Sequence, residues 1–224
     1  MHNHHAYSPQ EQAAIYKVIV ERRDMRHFLP TPVSPEVLQK ILQAAHHAPS
    51  VGLMQPWRFI RITDNELRQA IHKQVDLERI KTAQAIGEYE TTARMAEFLR
   101  LKVEGILECG ELLVATLCDK RDAQVFGRRT LPEMDIASVS CAIQNMWLAA
   151  RAEGLGLGWV SLFDPAQLAS LLNMPPDAKP IAVLCLGHVV SFYKQPMLVE
   201  TGWKTQKPLA DMLMENGWNQ HATK

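Results

Sequence analysis

The chain has 224 residues, 47% apolar and 21% charged, with 24 Lys+Arg balanced by 24 Asp+Glu. That length and composition fit one soluble globular domain with a substantial core, and zero net charge argues against a nucleic acid or membrane surface recognised by bulk charge. No apolar run approaches the roughly 18 residues of a membrane-crossing helix, and the start, MHNHHAYSPQEQ, lacks the apolar stretch of a secretory leader, so a cytoplasmic protein is expected.

Ser8-Pro9-Gln10-Glu11 is a capping-box start with proline at the first helical position, and Ile15, Val18 and Ile19 follow at helical spacing. Ser34-Pro35-Glu36 opens a second helix with a stripe of Val37, Leu38, Ile41 and Leu42. The intervening HFLPTPV is held extended by Pro30 and Pro32. The loop APSVGLMQP leads into WRFIRI, which alternates like a strand, and Asp64 caps a third helix to about residue 82. Residues 84–105 are polar, with sparse apolar marks at Met95, Phe98 and Leu99, and read as a helical lid. LLVATLC (112–118) is expected as a buried strand, about 133–153 as a long helix ending in GLGLG, and WVSLF (159–163) as a strand entering the Asp164-Pro165 cap. A further buried strand is expected at 181–190, and a short helix at PLADMLMEN near Pro208.

Helices first, then strands separated by long helices, imply one domain over 1–224 with an α+β, three-layer fold around a mixed sheet. GLGLG follows a helix instead of a strand, so it is not a dinucleotide fingerprint. Cys109, Cys118, Cys141 and Cys185 form no CxxC pair, and Cys118 and Cys185 sit in apolar runs as buried thiols. The adjacent His46 and His47 point to different helix faces, and His2, His4 and His5 fall in a terminus expected to be disordered. No metal site is expected.

Three stretches could carry chemistry. ERRDMR (21–26) reads either as a solvated helix end, where cations meet the helix dipole, or as an arginine clamp for a phosphate. Asp24 fits neither, because a carboxylate is unfavourable at a helix C-terminus and beside a phosphate; an acid kept there is a candidate for a chemical role. In HAPSVGLMQPW (47–57), Ser50 offers a hydroxyl, Gly52 allows close backbone approach and Gln55 an amide for a heterocycle edge; a plain turn feeding a strand is the alternative. In GLGLGWVSLFDP (154–165), Ser161 is either a site hydroxyl or a satisfied strand residue, and the glycines can serve as a helix stop.

Together, RRDMR, APSVGLMQPW, GLGLGWVS and KPLADML, in that order and across essentially the whole chain, resemble the nitroreductase-like flavoprotein superfamily. The resemblance implies an α+β homodimer with FMN at the subunit interface and a central mixed, mainly antiparallel sheet flanked by helices. Ordinary nitroreductases and iodotyrosine deiodinases read R-R-S-x-R at the first motif and A-P-S-S-x-N-x-Q-P-W at the second. Here Asp24 takes the serine position and Leu53 the asparagine position. Asp24, HHAPSVGLMQPW, the WVS ending at Ser161 and FYKQPMLVETGW are similar to the branch of 5,6-dimethylbenzimidazole synthases.

That branch implies a reaction in which reduced FMN is a substrate. With O₂ it is fragmented to 5,6-dimethylbenzimidazole, the lower ligand of vitamin B12, and erythrose 4-phosphate. A separate flavin reductase using NAD(P)H would supply the reduced flavin. Carried over by motif, Asp24 and Ser161 are the catalytic candidates. Arg22, Arg23, Arg26 and the intervening Met25, with Ser50, Ser161 and Leu162, are the flavin contacts. Superfamily members often place an arginine before the tail's KPL; here Gln206 stands there, followed by Lys207, and both are candidate contacts. Asp24 is expected to act as acid/base, kept ionised by its arginines, and Ser161 to orient the N5 and ribityl region. The alternatives are an ordinary NAD(P)H-dependent nitroreductase or reductive dehalogenase, and a flavin-binding protein without turnover.

Overall fold

A computed structural model describes residues 5–218. Its first helix, α1 (Pro9–Glu21), begins at the expected capping box: the Ser8 hydroxyl accepts from the Glu11 N–H while Glu11 reaches back to Ser8. The apolar side of α1 is largely uncovered, with Ile15, Tyr16, Ile19 and Val20 all exposed. Helix α2 (Pro35–His46), capped by Ser34, buries Leu38, Ile41 and Ala45. A 3-10 turn at Val51–Leu53 then feeds strand β1 (Trp57–Ile62). Helix α3 (Asn65–Tyr89) starts at the Asp64 cap but runs past residue 82, because its buried positions Ile71, Val75 and Ala83 keep one face on the core. The segment expected as a lid is therefore the end of α3, helix α4 (Thr92–Arg100), which buries Phe98, and an irregular stretch to Gly105.

Strand β2 (Glu111–Leu117) is buried throughout, and helix α5 (Met134–Ala152) packs along α2. Strands β3 (Gly156–Val160) and β4 (Lys179–Gly187) flank α6 (Pro165–Leu171), which Asp164 caps through two backbone N–H groups. A short α7 (Met197–Glu200), not expected from the sequence, follows β4. The expected tail helix is only a 3-10 turn at Leu209–Asp211.

The strand order is β1-β2-β4-β3, every pair antiparallel. The parallel part of the expected mixed sheet is, among the described residues, one isolated bridge between Asp24 and Leu157. Ile60, Val114, Val183 and Val160 form a row across all four strands on one face, beneath α3 and α6. Leu113, Ala115, Ala182, Leu184 and Leu157 face the other side, where α2 and α5 cover them. Both faces are covered, which makes this an α+β three-layer fold and explains why β2 and β4 read as apolar runs instead of alternating.

Two motif readings change. Only Gly154 (φ +76°) is a helix stop; Gly156 and Gly158 lie inside β3. The strand ends at Val160, so Ser161 is an exposed residue just past it instead of a mid-strand one. Cys109 and Cys185 are buried, whereas Cys118 is only half-buried. His2 and His4 lie outside the described residues. Among those described, no helix is long and apolar enough to cross a membrane, and no cluster of metal-ligating side chains occurs.

Candidate active site

The extended RRDMR segment runs alongside β3. The Met25 N–H donates to the Leu157 carbonyl at 3.1 Å, and the Trp147 indole N–H is shared between the carbonyls of Arg23 (3.0 Å) and Leu157 (2.8 Å). Such close approach needs bare backbone on the facing strand. A Cβ added at Gly158 would stand 2.2 Å from the Met25 carbonyl oxygen and 2.7 Å from an Arg26 nitrogen. One at Gly156 would meet Met25 and Val189 inside 3 Å. The glycine motif and the arginine motif are therefore two halves of one contact.

In extended chain, neighbouring side chains point to opposite sides. Asp24 and Arg26 turn to a cavity of about 370 Å³, while the Met25 side chain points into the core, 1% exposed. The cavity is also lined by Arg22, Arg23, Ser161 and Leu162, by Trp159 and Val160 of β3, by Phe98 of α4, by Leu101 and Val103 just beyond it, and by the α7 region with Trp203. Its volume and mainly apolar wall with a few convergent polar groups are those of a small-molecule site. Arg94 clamps α4 to the far wall: its guanidinium lies 3.4 Å from the Trp203 ring centroid and donates to the Trp203 carbonyl at 2.6 Å.

Asp24 is tied at both oxygens. Oδ1 accepts the Trp159 N–H at 2.9 Å and Oδ2 accepts from Arg26 at 2.5 Å. Two-fifths of its side chain is open to the cavity, yet burial is still the largest influence on it and pushes its pKa above the ordinary 3.8. The charges of Arg26 and Arg22 and the Trp159 and Arg26 hydrogen bonds pull the other way without winning. The arginines favour the charged form as expected, but burial outweighs them.

The three arginines differ. Arg23 spends its guanidinium on the carbonyls of Val20, Arg22, Tyr193 and Lys194. Arg26 bonds Asp24 and the carbonyls of Trp159 and Met25, leaving its buried Nε without a partner. The Arg22 guanidinium makes no hydrogen bond among the described residues; its carbon lies 4.6 Å from the Trp147 ring centroid, and burial lowers its pKa. The Ser161 hydroxyl likewise has no partner within the described residues.

A family model described as the nitroreductase family matches residues 19–188. The chain belongs to the nitroreductase family. Within that family it is 39% identical over 189 residues, 84% of this chain and 87% of the relative, to a 5,6-dimethylbenzimidazole synthase of Rhodospirillum rubrum. It is 36% identical over 196 residues to the synthase of Rhodobacter capsulatus, covering 87% and 93% of the two chains. Solved structures share the fold. One is an oxidised iodotyrosine deiodinase bound to FMN and 3-iodo-L-tyrosine (TM-score 0.70, 20% identity, covering 91% of this chain and all of the other). Another is an NADPH:FMN oxidoreductase from Vibrio harveyi complexed with NAD+ (TM-score 0.69, 21% identity, covering 92% and 79%).

Of the family-derived positions, the fold gathers Arg22, Arg23, Asp24, Arg26, Ser161 and Leu162 around one cavity. Met25 reaches that region only through its backbone. Ser50 stands apart, its hydroxyl accepting the Gln55 N–H at 3.0 Å, in a loop where Gly52, Leu53 and Gln55 all have positive φ. Gln206 and Lys207 are exposed in the tail, and Lys207 lines a separate surface cavity with Met212 and Trp218. Sequence reading missed the glycine–arginine contact, although glycines two apart on a strand necessarily share a face. It also missed the Trp159 N–H and the Arg94–Trp203 clamp, which join residues too distant along the chain for any spacing to reveal.

Proposed function

We propose that the chain is a 5,6-dimethylbenzimidazole synthase, which fragments reduced FMN with O₂ to 5,6-dimethylbenzimidazole and erythrose 4-phosphate. One observation carries the reading: a carboxylate with a raised pKa, Asp24, faces a largely apolar cavity beside a guanidinium, that of Arg22, and a hydroxyl, that of Ser161, neither hydrogen-bonded among the described residues. The relatives at 36–39% identity that bear the synthase name support it.

The residues fit a flavin mononucleotide. Arg22 offers donors to an anion or ring carbonyl, and Trp159, Leu162 and Phe98 offer apolar wall to a planar ring. The bound flavin supplies reducing equivalents for dioxygen chemistry and the carbon skeleton of the product. Asp24 serves as the base that takes a proton from the ribityl chain; its raised pKa brings it closer to the working pH, where a base is most effective. Ser161, whose hydroxyl has no partner among the described residues, orients the adjacent flavin edge through that hydroxyl. The α4 wall, held by the Arg94–Trp203 clamp, acts as the lid that keeps water out while bonds break. Reduced FMN comes from a separate flavin reductase that oxidises NAD(P)H.

The same assignment predicts a pH profile. Activity rises with pH along a limb whose midpoint lies above 3.8, as Asp24 gives up its proton, and Asp24→Asn abolishes that limb. A wild-type limb at or below 3.8 contradicts the assignment.

The site is half built in one chain, since Ser50, Gln206 and Lys207 are elsewhere, so we place the second half on a partner copy. The exposed Ile15, Ile19 and Val20 of α1 and the exposed Leu209, Met212, Leu213 and Trp218 of the tail are the surface that a second copy covers. Light scattering is expected to give twice the 25.3 kDa chain mass, and a monomer fully active at working concentration contradicts a shared site.

The function is tested by mixing the protein with reduced FMN and O₂ in a single turnover and analysing the products. Dimethylbenzimidazole supports it. Oxidised FMN alone points to an ordinary nitroreductase or a flavin carrier.

A further inference from the structure

Asp24 is gripped from two directions. β3 holds it on one side, through Leu157 and Trp159. On the other side Tyr193, in the loop after β4, touches the segment at two places. The Tyr193 carbonyl accepts from Arg23 Nε at 3.1 Å, beside the Lys194 carbonyl that accepts from Arg23 Nη2 at 2.8 Å. The Tyr193 phenol oxygen accepts the backbone N–H of Arg26 at 3.3 Å and lies 2.7 Å from His27 Nδ1, with the two rings edge-on at 6.1 Å. A backbone N–H can only donate, so the phenol oxygen accepts there, and it is also within hydrogen-bond distance of His27 Nδ1.

Burial raises the Tyr193 pKa further, so the phenol keeps its proton at working pH. Tyr193 does not line the cavity. It nevertheless fixes positions 23 and 26, the residues that bracket the Asp24–Met25 pair, through its own main chain and its hydroxyl. We propose that Tyr193 is a positioning residue for the reaction: by holding the chain on both sides of Asp24 it sets the aim of that carboxylate and of the Arg26 guanidinium bonded to it. This rests on the synthase reading above. Misplacement of a reacting group by a fraction of its contact distance costs rate without costing binding, because binding is spread over many contacts and proton transfer depends on one.

Tyr193→Phe tests it, since the ring and its packing remain and only the hydroxyl goes. In anaerobic titration the variant is expected to bind reduced FMN as the wild type does and to keep its melting temperature. Its single-turnover rate of dimethylbenzimidazole formation is expected to fall on the order of ten-fold. His27→Ala, which leaves the Arg26 contact in place, is expected to lose less. Equal rates in Tyr193→Phe and wild type overturn the proposal. So does a rate loss matched by weaker FMN binding and a lower melting temperature, which marks Tyr193 as packing alone. A wild type that makes no dimethylbenzimidazole overturns the synthase reading and this role with it.

Discussion

Asp24→Asn is expected to bind reduced FMN and to lose formation of dimethylbenzimidazole by about 10²–10⁴-fold, the range that a positioned base contributes. The amide keeps the shape of the carboxylate and can still accept the Trp159 N–H through its oxygen, so the segment along β3 stays in place. It cannot take a proton. Stability should move the other way with pH. A folded-state pKa above the unfolded one means that the folded chain holds the Asp24 proton more tightly, so this contribution is present below the ordinary 3.8 and lost as pH rises through the raised value. The variant does not titrate there, so its melting temperature relative to wild type should improve as pH rises through that window. A variant that makes product at the wild-type rate removes Asp24 from the chemistry.

Gly158→Ala is the second large effect, and it acts from the opposite strand. Its Cβ would lie 2.2 Å from the Met25 carbonyl oxygen, a backbone atom that cannot swing aside as the end of a flexible side chain can. Either β3 or the RRDMR segment must shift. Overpacking of this kind costs about 1–3 kcal/mol, several degrees of melting temperature for a chain of this size. The Trp159 N–H that holds Asp24 is the next residue along, so catalytic loss should exceed what the lost stability explains. Gly154→Ala is the control. It meets nothing within 4 Å, and its only penalty is its φ of +76°. It should cost stability and leave the rate per folded molecule unchanged. Equal rate losses in the two variants would show that the close contact at Gly158 does not serve the site.

What was legible in the sequence followed from local physics. The capping residues Ser8, Ser34, Asp64 and Asp164 marked four helix starts correctly, because a cap bond spans three residues at most. The apolar runs of β2 and β4 marked a sheet covered on both faces. Asp24 was legible as an anomaly, an acid among arginines, and its cavity setting agrees. What was not legible depended on contacts between distant segments. GLGLG looked like a helix stop because one of its glycines is one; the other two make sense only against Met25 and Arg26, about 130 positions earlier. The arginines around Asp24 are visible in the sequence, whereas the opposing pull of burial is not, because charge can be read from a sequence and desolvation cannot. Ser161 was placed inside a strand because WVSLF is apolar enough to continue one, whereas pairing with β4 stops at Val160.

The central claim is that the flavin bound beside Asp24 is consumed. The most direct measurement mixes a known amount of reduced FMN with excess protein and O₂ and counts FMN, dimethylbenzimidazole and erythrose 4-phosphate after one turnover. The account predicts one molecule of each product for every FMN that disappears. Full recovery of the flavin as oxidised FMN would contradict it.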